Sequence, residues 1–279
     1  MGKYVDLHTH SDFSDGTDRP ASILTKAKKV GLSAIAITDH DTVAGQYEAI
    51  ELAKQIGIEY VTGLEFSTAY KDTKFHILGY FIDPANSSLI TTGKTLLGRR
   101  KERGEKILNK LNKLGLHLEL DDVLPELSGS SLTRLHFAKA LIKKGYVKNV
   151  QKAFALYLGE GKPAYVAKKN LTPKEAIKLI HNAGGIASWA HPFTMGDINL
   201  LPQLVNWGLD GVEVFYPEHF PENMAVLKRY AHKYGLVMTG GSDYHGKAVN
   251  RPQIGEYKCP YQIVEDMRER LNSIREYRS

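Results

Sequence analysis

The sequence contains a single cysteine, Cys259, among its 279 residues, so an internal disulfide is impossible. This favours a reducing cytoplasm and excludes a small secreted fold held together by disulfides. No apolar run approaches the roughly 18 residues that a membrane-spanning helix requires. The opening residues MGKYVDLHTH lead straight into a predicted strand and lack an apolar signal segment, so we do not expect secretion.

The remaining composition is that of a folded enzyme-sized domain. A hydrophobic content of 42% over 279 residues suffices for a full core, in one large domain or one domain with an insertion. The net charge of +6 would favour an anionic substrate, although ordinary solubility explains it equally well. Much of the positive charge lies in GRRKERGEKILNKLNK, which is typical of a solvated helix face and does not by itself indicate nucleic-acid binding.

Strands and helices alternate along most of the chain, which predicts an α/β fold with a parallel sheet or barrel. The alternation stops over residues 88–171, where the pattern is mostly helical. It resumes with TPKEAIKLIHNAGG, a predicted helix with Pro173 in its first turn and Gly184 after its end. We therefore predict an α/β domain of residues 1–87 and 172–279 that carries an inserted helical subdomain of residues 88–171.

Six of the eleven histidines, together with three carboxylates, fall at or near the ends of predicted strands. The nine residues are His8, His10, Asp15, His40, Glu65, His76, His191, Asp243 and His245. In α/β sheets and barrels the carboxyl ends of the strands meet at one face, where functional residues gather. Nine such ligands are too many for one metal ion. They suit two or three ions that share ligands, as in metal-assisted phosphoester hydrolysis.

The types of these residues restrict the metal. His8 and His10 are two positions apart on an extended segment, so both imidazoles point to the same side. Imidazole and carboxylate without thiolate suit zinc, manganese or iron and argue against a cysteine-rich structural zinc site. Any one of these histidines taken alone is more often structural. The recurrence at successive strand ends is what predicts a catalytic metal site.

The segments DLHTHSDFSDG, ITDHD, GLEFS, HILGY, SWAHP and GGSDYHG occur in this order along the chain. They resemble the motifs of the polymerase and histidinol phosphatase superfamily, known as PHP. The insertion with LTRLHFAKAL, followed by KPAYV and VEVFYPEHFPE, resembles the stand-alone PHP phosphoesterases that act on nucleoside 3′,5′-bisphosphates and short RNA. The resemblance covers almost the whole chain.

This resemblance implies a distorted (β/α)7 barrel with a trinuclear metal centre. Carried over residue by residue, it implies that one ion is held by His8, His10, Glu65 and Asp243, a second by Asp15, His40 and His245, and a third by Glu65, His76 and His191. Glu65 would then bridge two ions. All nine family positions are filled by the expected residue types, so the resemblance implies an intact site.

The resemblance also implies a reaction in which a metal-activated hydroxide attacks phosphorus in line, with His191 and Asp243 as essential ligands. Arg134 is the candidate for a phosphate contact, because its planar fork suits a phosphate and it stands near the start of an inserted helix. His136 is a candidate for orienting the substrate or protonating the leaving group. The roles of Glu213, Tyr216, His219 and Tyr244 stay open between ligand support, substrate contact and structure.

The leading prediction is a cytoplasmic phosphoesterase that removes the 3′-phosphate of nucleoside 3′,5′-bisphosphates, with 5′→3′ trimming of short RNA as a related activity. Its partner would be a small phosphorylated nucleotide or short RNA, with no membrane and no stable nucleic-acid partner. Histidinol phosphate phosphatase is an alternative, as are a non-catalytic PHP accessory module and an amidohydrolase. Amidohydrolase barrels often bridge their metals with a carbamylated lysine, and no lysine of this sequence follows a comparable strand.

Overall fold

The computed structural model describes residues 2–123, 132–247 and 251–278. The chain folds into two compact units. The first consists of Met1–Gly93 and Asn170–Ser279, and the second is Lys94–Lys169. None of the helices in the described ranges combines the length and apolar character that crossing a lipid bilayer requires.

The first unit is built on one sheet of eight strands. The strands are β1 (Tyr4–Asp6), β2 (Ala34–Ile37), β3 (Glu59–Tyr70), β4 (Thr73–Tyr80), β5 (Ile186–Trp189), β6 (Gly211–Phe215), β7 (Val237–Gly240) and β8 (Cys259–Pro260). Their spatial order is β7-β6-β5-β4-β3-β2-β1-β8. Beyond the last residues of β1 and β7, the backbone N–H of Asp243 donates to the carbonyl of His8 at 2.8 Å. The sheet is therefore nearly closed, in agreement with the predicted distorted barrel.

The sheet is mostly parallel, and besides β8, which pairs antiparallel with β1, the strand that departs from this direction is β4. This strand runs antiparallel to both β3 and β5, whereas β1–β2–β3 and β5–β6–β7 are parallel. The reason is the connection, because only Lys71 and Asp72 separate β3 from β4. A two-residue turn can join only antiparallel strands, and Lys71 adopts the positive φ of 52° that such turns use.

Helices cover this sheet and pack against it. They are α1 (Pro20–Lys29), α2 (Gln46–Ile56), the first residues of α3 (Ser87–Lys113), α7 (Pro173–Asn182), α8 (Leu201–Asn206), α9 (Pro221–Tyr234) and α10 (Gln262–Arg278). One core cluster joins β1, β2 and β5 to α10, with Val5, Ile186 and Met267 fully buried. The predicted helix at Pro173 is confirmed, and Thr172 caps it by accepting from the Glu175 N–H at 3.2 Å.

The second unit is helical and has its own core. It contains the rest of α3, followed by α4 (Leu120–Val123), α5 (Arg134–Lys143) and α6 (Val150–Ala153), and α6 continues into a π-helical turn over Phe154–Leu158. Leu111, Phe137 and Leu158 are fully buried together in its core. This unit therefore has the apolar core expected of a compact substructure.

Candidate metal centre

The centre begins where β1 ends. The side chains of His8 and His10 are completely buried, and Thr9 between them bridges to Tyr244 beyond the end of β7. The backbone approach at this point is very close, since a Cβ on Gly241 would lie 2.3 Å from the His8 nitrogen. Only glycine therefore fits at position 241, which explains the second glycine of the TGGSD segment.

Glu65 lies at the middle of the site and is 1% exposed. Its two oxygens face five of the six predicted histidine ligands. The distances are 3.2 Å to His8 Nε2, 3.2 Å to His10 Nε2, 3.3 Å to His40 Nδ1, 2.9 Å to His76 Nδ1 and 3.2 Å to His191 Nε2. One carboxylate thus reaches five imidazoles supplied by separate stretches of the first unit.

Asp243 and Asp15 lie on the other sides of His10. Asp243 Oδ1 is 3.2 Å from His10 Nε2 and 3.4 Å from His8 Nε2. Asp15 lies within 3.8 Å of His10, 3.7 Å of His40 and 3.4 Å of His245. The fold therefore brings all nine of the predicted ligand residues together.

The nine residues form overlapping groups whose ligand atoms lie within 4.8 Å of one another. The groups are His10, Asp15, His40 and His245; His8, His10 and Asp243; His8, Glu65 and His191; and His40, Glu65 and His76. Of the three sets that the resemblance implies, the second lies within one group, whereas the first and the third are each divided between groups. Glu65 is shared by two groups, as are His8, His10 and His40.

Two of these residues lie in strand interiors, contrary to the expectation of strand ends. Glu65 is the seventh residue of β3, and His76 lies within β4 opposite Ser67. Both strands of the hairpin run on past the site. Glu65 and His76 therefore reach the site from within their strands, because β3 and β4 pass alongside the point at which the other strands end.

Backbone conformation at the site is strained. Among the described residues other than glycine, those with positive φ include Asp41 at 59°, His191 at 33° and Asp243 at 54°. Each such conformation costs about 1–3 kcal/mol and persists only where the surroundings enforce it. Of the five described non-glycine residues with positive φ, two are predicted ligands and a third follows His40, whereas Lys71 and Phe81 lie elsewhere.

The electrostatics of the cluster favour a bound cation. Burial alone would raise the pKa of Glu65, but the surrounding imidazoles, among them His76 and His8, hold it well below its usual range. Burial alone would lower the pKa of His10, but hydrogen bonds to Asp243 and Glu65 raise it to about 10. An environment that holds a proton so strongly on a buried imidazole also stabilises a divalent cation at the same point.

Several ring nitrogens of the site are buried without a well-directed hydrogen bond. Within the described ranges, these include Nδ1 of His10, His40, His76 and His191, although Glu65 lies close to two of them. Burial lowers the pKa of His40 to about 3, so this imidazole is neutral and has a lone pair to offer. Buried polar atoms are normally satisfied, so these nitrogens fit the requirements of metal ligation.

The model of the PHP domain family matches residues 6–188, which include six of the nine clustered residues. The chain belongs to the PHP domain family.

Relatives of this PHP chain extend over nearly its whole length. It is 36% identical to a 5′-3′ exoribonuclease of Haemophilus influenzae, over 88% of this chain and 91% of that one. It is 34% identical to a phosphoribosyl 1,2-cyclic phosphate 1,2-diphosphodiesterase of Eggerthella lenta, over 90% and 97%. It is 31% identical to a 3′,5′-nucleoside bisphosphate phosphatase of Chromobacterium violaceum, over 90% of each chain.

A solved structure from Bifidobacterium adolescentis, assigned as a metal-dependent phosphoesterase, superposes on this PHP chain with a TM-score of 0.83. The two are 30% identical, and the match covers 95% of this chain and 96% of the other. The protein is thus an enzyme of the phosphoric ester hydrolase class, as predicted.

Buried carboxylates beside the PHP ligands fix the ligand-bearing segments to one another. Asp6 accepts from the Ser242 N–H at 2.9 Å and from its hydroxyl at 2.6 Å, which joins β1 to the segment after β7. Asp39 accepts from the N–H and hydroxyl of Ser11 and from the Ser14 hydroxyl. Asp39 thereby holds the loop that follows His10.

Glu213 holds two ligands at once. Its Oε1 is 2.9 Å from His8 Nδ1, and its Oε2 accepts from the His191 backbone N–H at 2.8 Å. This contact fixes His8 with its proton on Nδ1, so that Nε2 faces the cluster. The sequence left the role of Glu213 open, and the structure identifies a buried carboxylate that orients two ligands.

Asp243 has a similar support on its second oxygen. The Tyr216 hydroxyl donates to Oδ2 at 2.9 Å, and the Arg251 guanidinium lies 3.3 Å from the same atom while pairing with Glu218. Sequence reasoning missed Arg251, because nothing in its spacing marks it.

The side chain of Tyr244 does not contact the predicted ligand residues through its hydroxyl, which donates to Asp18 at 2.5 Å. His219 packs edge-on against Phe193 at 5.9 Å.

The two predicted substrate contacts lie in the second unit. Arg134 donates to the Leu158 carbonyl at 3.1 Å, and its guanidinium lies 5.3 Å and 5.4 Å from the ring centroids of Phe154 and Tyr165. His136 is 5% exposed, and its Nδ1 accepts from the Thr133 N–H at 3.1 Å. His136 thus caps the start of its own helix.

Proposed function

We propose that this protein hydrolyses phosphate esters of nucleotides, with removal of the 3′-phosphate from nucleoside 3′,5′-bisphosphates as its main reaction. The observation that carries the proposal is the convergence of nine imidazole and carboxylate side chains around the buried Glu65. A related 5′→3′ trimming of short RNA belongs to the same proposal. The relatives named for bisphosphate hydrolysis and for exoribonuclease activity support this choice of substrate class.

Three divalent ions, drawn from manganese, iron and zinc, are the cofactors we propose. One would be held by His8, His10, Glu65 and Asp243, a second by Asp15, His40 and His245, and a third by Glu65, His76 and His191. Such ions supply Lewis acidity toward phosphate oxygens and lower the pKa of bound water. The protein's own part is to hold its carboxylates ionised and its imidazoles oriented, through Glu213, Tyr216 and the two serine-bound aspartates.

Arg134 and His136 are the residues we propose for the substrate itself. The planar guanidinium of Arg134 is held by two aromatic rings, and one of its five N–H donors is used by Leu158. A guanidinium fixed in this way is suited to bidentate recognition of phosphate. His136 Nδ1 accepts from the Thr133 N–H and so stabilises the start of the helix that carries Arg134. For His136 to act as an acid through Nδ1, this contact would have to change.

Arg134→Ala is expected to raise KM for adenosine 3′,5′-bisphosphate by more than about tenfold, because a charge-assisted contact contributes about 1.5–3 kcal/mol. Steady-state phosphate release measures it, with Arg229→Ala on α9 of the first unit as the control. An unchanged KM in the Arg134 variant would remove this residue from the substrate site.

The experiment that tests the proposed function is a phosphate-release screen with manganese, iron and zinc supplied separately. The substrates are adenosine 3′,5′-bisphosphate, a short RNA, a ribose 1,2-cyclic phosphate and histidinol phosphate. We expect the highest kcat/KM on the bisphosphate and no turnover after chelation. Preference for the cyclic phosphate or for histidinol phosphate would contradict the proposal, and no turnover of any ester would favour an accessory PHP module.

The cytoplasm is the compartment that we propose. The one cysteine is buried, and the pKa of its thiol is raised by burial, so that it stays protonated and unreactive.

A further inference from the structure

A row of basic side chains follows one face of α3 in the second unit. Arg99, Arg103, Lys106 and Lys110 are spaced at intervals of four, three and four residues, which places them on one side of the helix. From the first to the last, the row extends about 16 Å along the helix axis. The predicted solvated face of this helix is therefore an ordered line of positive charge.

A second segment of the same unit runs along this row. Arg103 Nε donates to the Val166 carbonyl at 2.8 Å, and Lys110 Nζ donates to the Tyr165 carbonyl at 2.7 Å. Between the helix and this segment lies a pocket of about 220 Å³. Its lining residues are Leu96, Arg99, Arg100, Glu102, Arg103, Lys106, Val166, Ala167, Lys168 and Lys169.

Basic residues outnumber acidic ones in the lining of the pocket. Six of its ten lining residues are basic, and Glu102 is the single acid among them. Glu102 forms a 2.5 Å ion pair with Lys106, and both side chains are more than half exposed, so this pair neutralises little. Burial together with Arg134 and Arg100 lowers the pKa of Arg103, which shows that like charges crowd this guanidinium. Such crowding is relieved by a bound anion.

We propose that this pocket of the second unit binds the phosphates of a single-stranded RNA backbone. The inference rests on the proposed function and names the feature that would let the enzyme hold RNA in addition to a mononucleotide. The pocket residues Arg99, Arg103 and Lys106 extend about 10 Å along the helix axis, which is longer than one phosphate needs, and Lys110 continues the row beyond the pocket. None of the ten lining residues is aromatic, so the pocket recognises the backbone and is indifferent to the bases.

Binding of a fluorescent 2′-O-methyl RNA of about ten nucleotides, which resists hydrolysis, tests the proposal with the metal-loaded enzyme. The test variant is Arg99→Glu with Lys169→Glu, two exposed residues of the pocket. The control is Lys148→Glu with Lys152→Glu, two exposed lysines of the same unit outside the pocket, which changes net charge equally. Fluorescence anisotropy between low and physiological salt gives Kd, and thermal unfolding verifies that each variant is folded.

We expect the pocket variant to weaken RNA binding at least tenfold more than the control. We also expect it to reduce the slope of log affinity against log salt by about 1.4, because two phosphates would no longer be neutralised. If the glutamate variant unfolds, Arg99→Gln with Lys169→Gln applies the same test. Equal weakening in the pocket and control variants would overturn the proposal, as would displacement of the RNA by polyglutamate as readily as by unlabelled RNA. Failure of the proposed function is distinguishable, because the wild-type enzyme would then release no phosphate from nucleotides.

Discussion

Replacing Glu65 with glutamine is expected to lower phosphate release by about a thousandfold or more, because the proposed site would lose a ligand shared between ions, which corresponds to several kcal/mol at about 1.4 kcal/mol per factor of ten. The physical reason is the position of this carboxylate. Its oxygens lie within 3.3 Å of five imidazole nitrogens, and its negative charge stabilises any cation held between them. The glutamine amide has the same shape as the carboxylate but no charge, so the loss of activity measures the contribution of the negative charge of Glu65.

Metal analysis of the purified Glu65→Gln protein and kcat on adenosine 3′,5′-bisphosphate are the two measurements. The control is Glu59→Gln in the same strand, where the carboxylate contacts Tyr261 and Arg268 at the outside of the sheet. We expect the control to keep its metal and to stay within about twofold of wild-type activity, since exposed ion pairs contribute little. Full metal content together with near-normal turnover in Glu65→Gln would exclude a metal role for this carboxylate.

Glu213→Gln is expected to weaken metal binding by about 10–100-fold, the usual effect of losing a carboxylate that orients a ligand histidine. Glu213 accepts from His8 Nδ1 and from the backbone N–H of His191, and it is fully buried. The amide can satisfy one of these donors but not both, so His8 loses its fixed tautomer. Because the ligands themselves remain, activity should return when the metal concentration is raised.

The measurement is activity as a function of free manganese for wild type, Glu213→Gln and the control Glu222→Gln. Glu222 is exposed in the first turn of α9. It lies six residues after Tyr216, whose hydroxyl donates to Asp243, so the control changes a carboxylate close in sequence to the site. A shift of the half-saturating manganese concentration in Glu213→Gln alone supports a positioning role. Loss of kcat that persists at saturating manganese would instead indicate that Glu213 acts on the reaction itself.

Much of the fold could be predicted because its signals are local. The strands have apolar cores, Pro173 starts a helix, and the mostly helical stretch interrupts an alternating pattern. The orientation of β4 could not be predicted in this way. Its direction depends on the two-residue turn at Lys71 and Asp72, and a strand pattern is the same whichever way the strand runs.

The candidate site was predicted in composition but not in arrangement. Residue type marks imidazoles and carboxylates as ligands, and the strand ends indicate that they meet. The family resemblance gave Glu65 a bridging position, but the pattern gives no sign that five imidazoles face this carboxylate or that His76 approaches from within a strand. Nor does it show that Asp39 bonds Ser11 and Ser14, because that contact depends on how the loop after His10 folds back.

By itself, the sequence determined the chemistry of this protein, because ligand types and their order along the chain suffice to indicate a PHP metal centre. Only the tertiary structure decided which side chains support which ligands. Glu213, Tyr216 and Arg251 are identified by the ligands they touch and by nothing in their spacing. The structure also decided that the basic residues of α3 line a pocket, since the Val166–Lys169 wall lies more than fifty residues beyond the helix. Residue type sets what a group can do, whereas the folded backbone sets which groups meet.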